Sequence, residues 1–108
     1  MSTLRAGRPV RGSSTGRPIM VILDALGRRW ALRVLWELRE EPLTFRGLRD
    51  ACDGVSPSVL NERLGELREL GLVEQVADGY TLTADGRELG GLLTSLDAWS
   101  RRWAKRHG

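Results

Sequence analysis

Leu60, Leu64, Leu67 and Leu70 recur at three- and four-residue spacing and lay one apolar stripe along a predicted helix. That helix has a marked start and stop. Ser56 is an N-cap residue directly ahead of Pro57, whose missing N–H costs nothing in a first turn, and Gly71 falls where a left-handed C-cap residue is expected. Two short β-compatible runs follow, residues 72–77 and 80–82, joined by Asp78-Gly79, a pair suited to the positive φ angles of a tight hairpin turn. Upstream, Thr44 caps a predicted helix with Phe45, Leu48 and Cys52 on one side, and Asp53-Gly54 closes it. Earlier still, Pro18 opens an apolar-striped segment through Leu26, with Gly27 as its stop. Residues 30–38 predict a further helix with Ala31, Val34, Leu35 and Leu38 on one face and Trp36 on another. Thr83 caps a last helix towards Lys105, whose stripe of Leu89, Leu92, Leu93, Leu96, Trp99 and Trp103 is longer than a small domain needs for itself. Part of it is expected to meet a partner.

A short helix, a tight link, a longer helix and a two-stranded ribbon over residues 44–83 make the order of a winged helix-turn-helix, a DNA-reading module. The predicted class is α+β, mainly α, with a short two-stranded wing and a long C-terminal helix. A chain of 108 residues buries one modest core and not two, so a single domain over residues 18–108 is expected. Residues 1–17 are rich in Gly, Ser, Pro and Arg without an apolar period, and they predict a disordered basic arm. Such an arm tracks phosphates or enters a minor groove, or is simply a solvated tail.

The pieces resemble the HxlR family of bacterial winged-helix regulators, a branch of the wider MarR-like group. The likeness is carried by Arg29-Trp30-Ala31-Leu32 leading into Val34-Leu35, by Thr44-Phe45-Arg46-Gly47-Leu48, and by Val55-Ser56 with Leu60, Arg63-Leu64 and Leu67. Gly71-Leu72-Val73 and the run Tyr80-Thr81-Leu82-Thr83-Ala84-Asp85-Gly86 complete it. Each piece is weak alone; order and spacing make the signal specific. The resemblance implies a symmetric homodimer that binds operator DNA as a transcriptional regulator, with the first and last helices as dimerisation helices. The family usually has basic residues where the wing begins and a longer hairpin, whereas here Glu74-Gln75-Val76 precedes a minimal turn. Wing contacts to a minor groove are therefore not expected. Some HxlR-type proteins resemble redox switches with a sensing cysteine near the first helix, and no cysteine stands there in this chain.

The net charge of +3 conceals an uneven distribution. Arg5, Arg8, Arg11 and Arg17 precede every acidic residue, Arg101, Arg102, Lys105 and Arg106 follow the last one, and the middle of the chain is net acidic. The predicted recognition helix itself carries Glu62, Glu66 and Glu69 against Arg63 and Arg68, a poor composition for attracting phosphate. Residues near its start can nonetheless face a groove: Ser56, Ser58, Asn61 and Glu62 lie opposite the leucines, flanked by Arg63. Asn pairs in bidentate fashion with adenine, Glu accepts from cytosine, and Ser is less selective. Arg46 and Arg49 are candidate phosphate clamps, with Arg28 and Arg29 as weaker ones. The plain alternative is that all of these are solvated surface.

Cys52 is the only cysteine, so no intramolecular disulfide and no cysteine cluster for a metal can form; its place beside Phe45 and Leu48 predicts a buried thiol. The four tryptophans, Trp30, Trp36, Trp99 and Trp103, with Leu96, either pack the core and dimer seam or line a pocket between subunits. Such a pocket would take a flat hydrophobic effector and shift the spacing of the two recognition helices. Gly90-Gly91 in the last helix marks a close crossing or a bend. No enzyme, cofactor or metal is expected, because the single histidine sits at the frayed end and no nucleophile has an evident base partner. No apolar run approaches a membrane span, and the start lacks the apolar centre of a signal peptide, so a cytoplasmic protein is expected. The composite expectation is a dimeric, sequence-specific DNA-binding regulator, a repressor rather than an activator, reading a pseudo-palindrome. The alternative is a winged-helix protein-interaction module that does not bind DNA, which the acidic recognition helix and short wing favour.

Overall fold

Prolines and capping side chains start the helices where the sequence places them. The computed structural model describes residues 17–108. The predicted basic arm lies outside the described residues except for Arg17, whose carbonyl accepts from the amides of Met20 and Val21 at the start of α1 (Pro18–Leu26). The Thr44 hydroxyl accepts from Gly47 N–H at 2.9 Å and opens α3 (Phe45–Cys52). Ser56 does the same for α4 (Pro57–Glu69) through Val59 N–H at 3.2 Å, and Thr83 for α5 (Ala84–His107) through Gly86 N–H at 3.0 Å. Each such cap contributes about 1 kcal/mol. The Thr83 hydroxyl also donates to the Gly71 carbonyl, tying the end of α4 to the start of α5.

Gly71 ends α4 as expected. At φ 74° it lets Leu72 N–H reach the Leu67 carbonyl and its own N–H reach that of Arg68, both at 3.0 Å, a Schellman motif. The chain then forms β1 (Val73–Val76) and β2 (Gly79–Leu82), antiparallel from Val73 opposite Leu82 to Val76 opposite Gly79. This register corrects the predicted turn. Its two loop residues are Ala77 and Asp78, Gly79 belongs to the strand, and none of the three has a positive φ. Gly79 is required for another reason: Leu43 and Tyr80 exchange backbone hydrogen bonds of 3.0 and 2.8 Å, and a Cβ on Gly79 would overlap the Leu43 carbonyl oxygen.

The second correction concerns Trp30. The helix predicted over residues 30–38 is shorter, α2 (Ala31–Glu37), and Trp30 precedes it in the left-handed conformation at φ 78°, while Gly27 is right-handed. The chain therefore reverses at a bulky residue, a strain of about 1–3 kcal/mol that packing of the indole against the core offsets.

The main core gathers Val34 and Leu35 of α2 and Leu38 just past its end, Leu48 and Cys52 of α3, Leu60, Leu64 and Leu67 of α4, and Leu72, Val73 and Leu82 around the hairpin. Helix α1 adds Val21 and Ala25 in a separate cluster against Leu70, and its last residue, Leu26, packs half-buried on the main core. Cys52 is fully buried, and desolvation raises its thiol pKa, with Arg33 opposing in part. Helix α5 runs unbroken through Gly90-Gly91; a Cβ at Gly90 would make ordinary contact with Leu82 at 3.7 Å and one at Gly91 would meet nothing. Among the described residues, no tight crossing calls for these glycines.

Gly65 lies in mid-α4, and a Cβ added there would meet nothing within 4 Å. Gly65→Ala is expected to raise the unfolding free energy by about 0.5–1 kcal/mol. The check is a higher urea midpoint at unchanged m-value; a lower midpoint would reveal packing on this face that the free chain does not have.

Candidate nucleic-acid interface

The rotation of α4 about its own axis decides what it presents. Leu60, Leu64 and Leu67 point into the core, so Ser58, Asn61 and Glu62 stand together on the opposite, exposed face. The link from α3 is held short by two left-handed residues, Asp53 at φ 49° and Gly54 at φ 111°. The Ser56 hydroxyl is engaged as the cap and lies 3.5 Å from the Ser58 hydroxyl. Among the described residues, the Asn61 side chain makes no hydrogen bond, which leaves its amide open to a base edge.

The arginines divide into two sets. Arg46 and Arg49 are exposed on α3, and among the described residues neither has an ion-pair or hydrogen-bond partner. Arg63 is different: its Nε donates to the Arg29 carbonyl at 2.7 Å and its Nη1 to Glu62 and Glu66 at 2.9 and 3.0 Å, with the side chain 13% exposed. Arg28 likewise pairs with Asp24 at 3.2 Å and with Glu66. Both are turned inward beside the α1–α2 connection, where Asp24, Glu62 and Glu66 engage their guanidinium groups within the protein. Arg29 stays exposed, its guanidinium 5.4 Å from the Trp30 ring centre.

The same pairing answers the objection raised by the acidic middle of the chain. Asp24, Glu37, Glu62 and Glu66 all face arginines, so much of that negative charge is compensated internally. Arg33 holds Glu37 at 2.6 Å, which raises its already high pKa, and its other arm donates to the Ala51 carbonyl at 2.7 Å, joining α2 to α3. The wing does not share this balance: residues 73–82 include Glu74 and Asp78 and no basic side chain.

A second concave surface lies between α2 and α5. Leu32, Trp36, Leu93 and Leu96 line a groove of about 390 Å³ with Arg33, Asp97 and Ser100 at its edge. Of the residues expected to share an effector pocket or dimer seam, the fold brings Trp36 and Leu96 together within one chain. Trp30 lies apart, near Leu26 and Arg28, while Trp99 and Trp103 stack on each other further along α5 at 6.5 Å. Sequence reasoning missed Leu32 and Leu93 as partners of Trp36: Leu32 lies one turn before it on α2, a spacing legible in the sequence, whereas Leu93 joins it only through the packing of α5 on α2.

A capped recognition helix with an open polar face, behind a shorter helix bearing free arginines and beside a two-stranded wing, defines a DNA-binding transcriptional regulator of the winged helix-turn-helix class. Within that class, the chain belongs to the HxlR-like helix-turn-helix family, whose model matches residues 25–108. It is 30% identical over 88 residues to an uncharacterized helix-turn-helix transcriptional regulator of Methanocaldococcus jannaschii, covering 78% of this chain and 83% of that protein. The crystal structure of quinone-bound YodB from Bacillus subtilis is similar at a TM-score of 0.72 and 28% identity, over 78% of this chain and 96% of that one. A possible HxlR family transcriptional factor from Thermoplasma volcanium, 24% identical, shares the fold at a TM-score of 0.71 over 82% and 85% of the two chains. The relatives carry the names of transcriptional regulators. Among the described residues, no helix is long and apolar enough to cross a membrane.

Arg46→Ala and Arg49→Ala are each expected to weaken matched and scrambled duplexes by the same factor and to lower the slope of log affinity against log salt by about 1. An unchanged slope would remove that arginine from the phosphate contacts.

Proposed function

We propose that this protein is a homodimeric, cytoplasmic repressor that reads a pseudo-palindromic operator with its two α4 helices. The observation that carries the reading is the shared exposure of Ser58, Asn61 and Glu62 on α4, flanked by the unpaired Arg46 and Arg49 on α3. Asn61 and Glu62 face base edges, Ser58 makes a less selective contact, and the two arginines seat on phosphates. Ser56 contributes as the helix cap, and Arg63 orients the helix from within the protein.

Dimerisation is supported by an uncovered apolar face. Ile19 and Leu23 of α1 and Leu92, Leu96, Trp99 and Trp103 of α5 are exposed, from 46% at Trp99 to 65% at Leu92. The α5 residues follow alternating spacings of four and three, the seam of two packed helices. Leu89 and Leu93 turn to the core instead, so one stripe serves both purposes. Two subunits placed this way set half-site centres about 34–36 Å apart. A dimer seated there excludes polymerase from the same stretch of duplex, and repression is the resulting output.

The α2–α5 groove supports an effector reading. YodB has been crystallised with a quinone; here a flat hydrophobic molecule would lie on Trp36 between Leu32 and Leu96. It would bind without covalent attachment, because the only thiol, Cys52, is buried. The wing, with Glu74 and Asp78 and no cation, favours a second reading as a protein-interaction module, which predicts no salt-sensitive binding to duplex DNA.

The test is fluorescence anisotropy on the protein's own upstream promoter duplex and a scrambled control at two salt concentrations. Asn61→Ala should lose about 5- to 150-fold on the promoter and little on the control; equal losses would contradict base reading. Leu96→Glu should give a monomer in sedimentation equilibrium, and a dimer that persists would place the seam elsewhere.

A further inference from the structure

Glu66 stands one turn beyond Glu62 on α4, on the flank turned to the α1–α2 connection. Its two carboxylate oxygens serve two different arginines: Oε2 accepts from Arg28, and Oε1 accepts from Arg63 at 3.0 Å. Arg28 uses its other terminal nitrogen on Asp24 of α1 at 3.2 Å, and Arg63 uses Nε on the Arg29 carbonyl at 2.7 Å. An unbroken polar chain therefore runs from the last turn of α1 to the middle of α4. Its side chains are 13–19% exposed, dry enough for charge-assisted bonds to hold a geometry.

The apolar contact between the same two helices is slight. Val21 and Ala25 cluster with Leu70, just past the end of α4, Leu26 reaches the edge of the main core, and such contact has no directional preference. The forked guanidinium of Arg28, by contrast, binds carboxylates of two helices, Asp24 of α1 and Glu66 of α4, and resists a swing of α1 relative to α4, whose own rotation the core leucines set. Ion pairs of this kind are weak sources of stability and better suited to fixing a register.

We propose that Arg28, Glu66 and Arg63 are positioning residues that set the orientation of α4 against the dimerisation helix α1, and so fix the half-site spacing that the dimer accepts. The inference rests on the dimeric DNA-reading function given above. None of the three touches DNA in this role.

The experiment uses operator duplexes with identical half-sites and spacers lengthened or shortened by one or two base pairs. Wild-type protein should show a single spacing optimum. Glu66→Gln keeps the side-chain volume, and Arg28→Lys keeps the charge but loses the fork; each should lose roughly tenfold at the optimum and much less at the neighbouring spacings, flattening the profile. Leu38→Val, a core variant remote from the cluster, should lose stability and keep the optimum. A second readout needs no DNA: nitroxides on Ser58→Cys in the free dimer report the distance between the two α4 helices, which should be narrow in wild type and broadened by Glu66→Gln. An unchanged spacing optimum and an unchanged distance distribution in both cluster variants would overturn the proposal, whatever their melting temperatures. Wild-type protein that binds none of the duplexes would instead sink the DNA reading, while the label distances would still decide whether the cluster orients α4.

Discussion

Burial of Leu60, Leu64 and Leu67 is the constraint on which the rest of the structure depends. Each leucine contributes about 1.5–3 kcal/mol by leaving water, and together they allow α4 only one rotation on the core of α2, α3 and the hairpin. Every functional property of the helix follows from that rotation. The polar face must point outward, the Glu66 flank must meet Arg28, and the C-terminal end must deliver Leu72 to the core through the turn at Gly71.

Electrostatics then sorts residues that composition treats alike. A guanidinium near a half-buried carboxylate is drawn inward, while one on an outer turn stays in water. Arg28 and Arg63 belong to the first kind, Arg46 and Arg49 to the second. A net acidic middle is compatible with a DNA-binding surface because Asp24, Glu37, Glu62 and Glu66 are paired with arginines of the same chain, while Arg46 and Arg49 stay free among the described residues. The wing lacks that pairing, and it is also the part of the family pattern from which this chain departs.

The long helix α5 divides its apolar stripe between two tasks. Leu89 and Leu93 pack against the core, and Leu92, Leu96, Trp99 and Trp103 stay exposed, the face that the proposed dimer would cover. A domain of this size gains a larger hydrophobic core by pairing than it can build alone. The groove at Trp36 sits where α2 meets this helix, so an occupant there would press on the element that carries the proposed dimer face.

Local chemistry was legible in the sequence by itself. Caps at Thr44, Ser56 and Thr83, the proline starts, the glycine stop at Gly71 and the leucine period act within a few residues of chain, and they placed the helices, the hairpin and the exposed face of α4. What only the tertiary structure decided involves partners remote in sequence. Gly79 is set by the backbone of Leu43 arriving beside it, and the reversal at Trp30 by the core that receives its ring. Arg28 is held by Glu66, 38 residues away, and Arg63 by the carbonyl of Arg29, 34 residues away. No local rule could assign these, because the energy of a close approach or an ion pair depends on which group the fold brings near, and that is settled only when the core has formed.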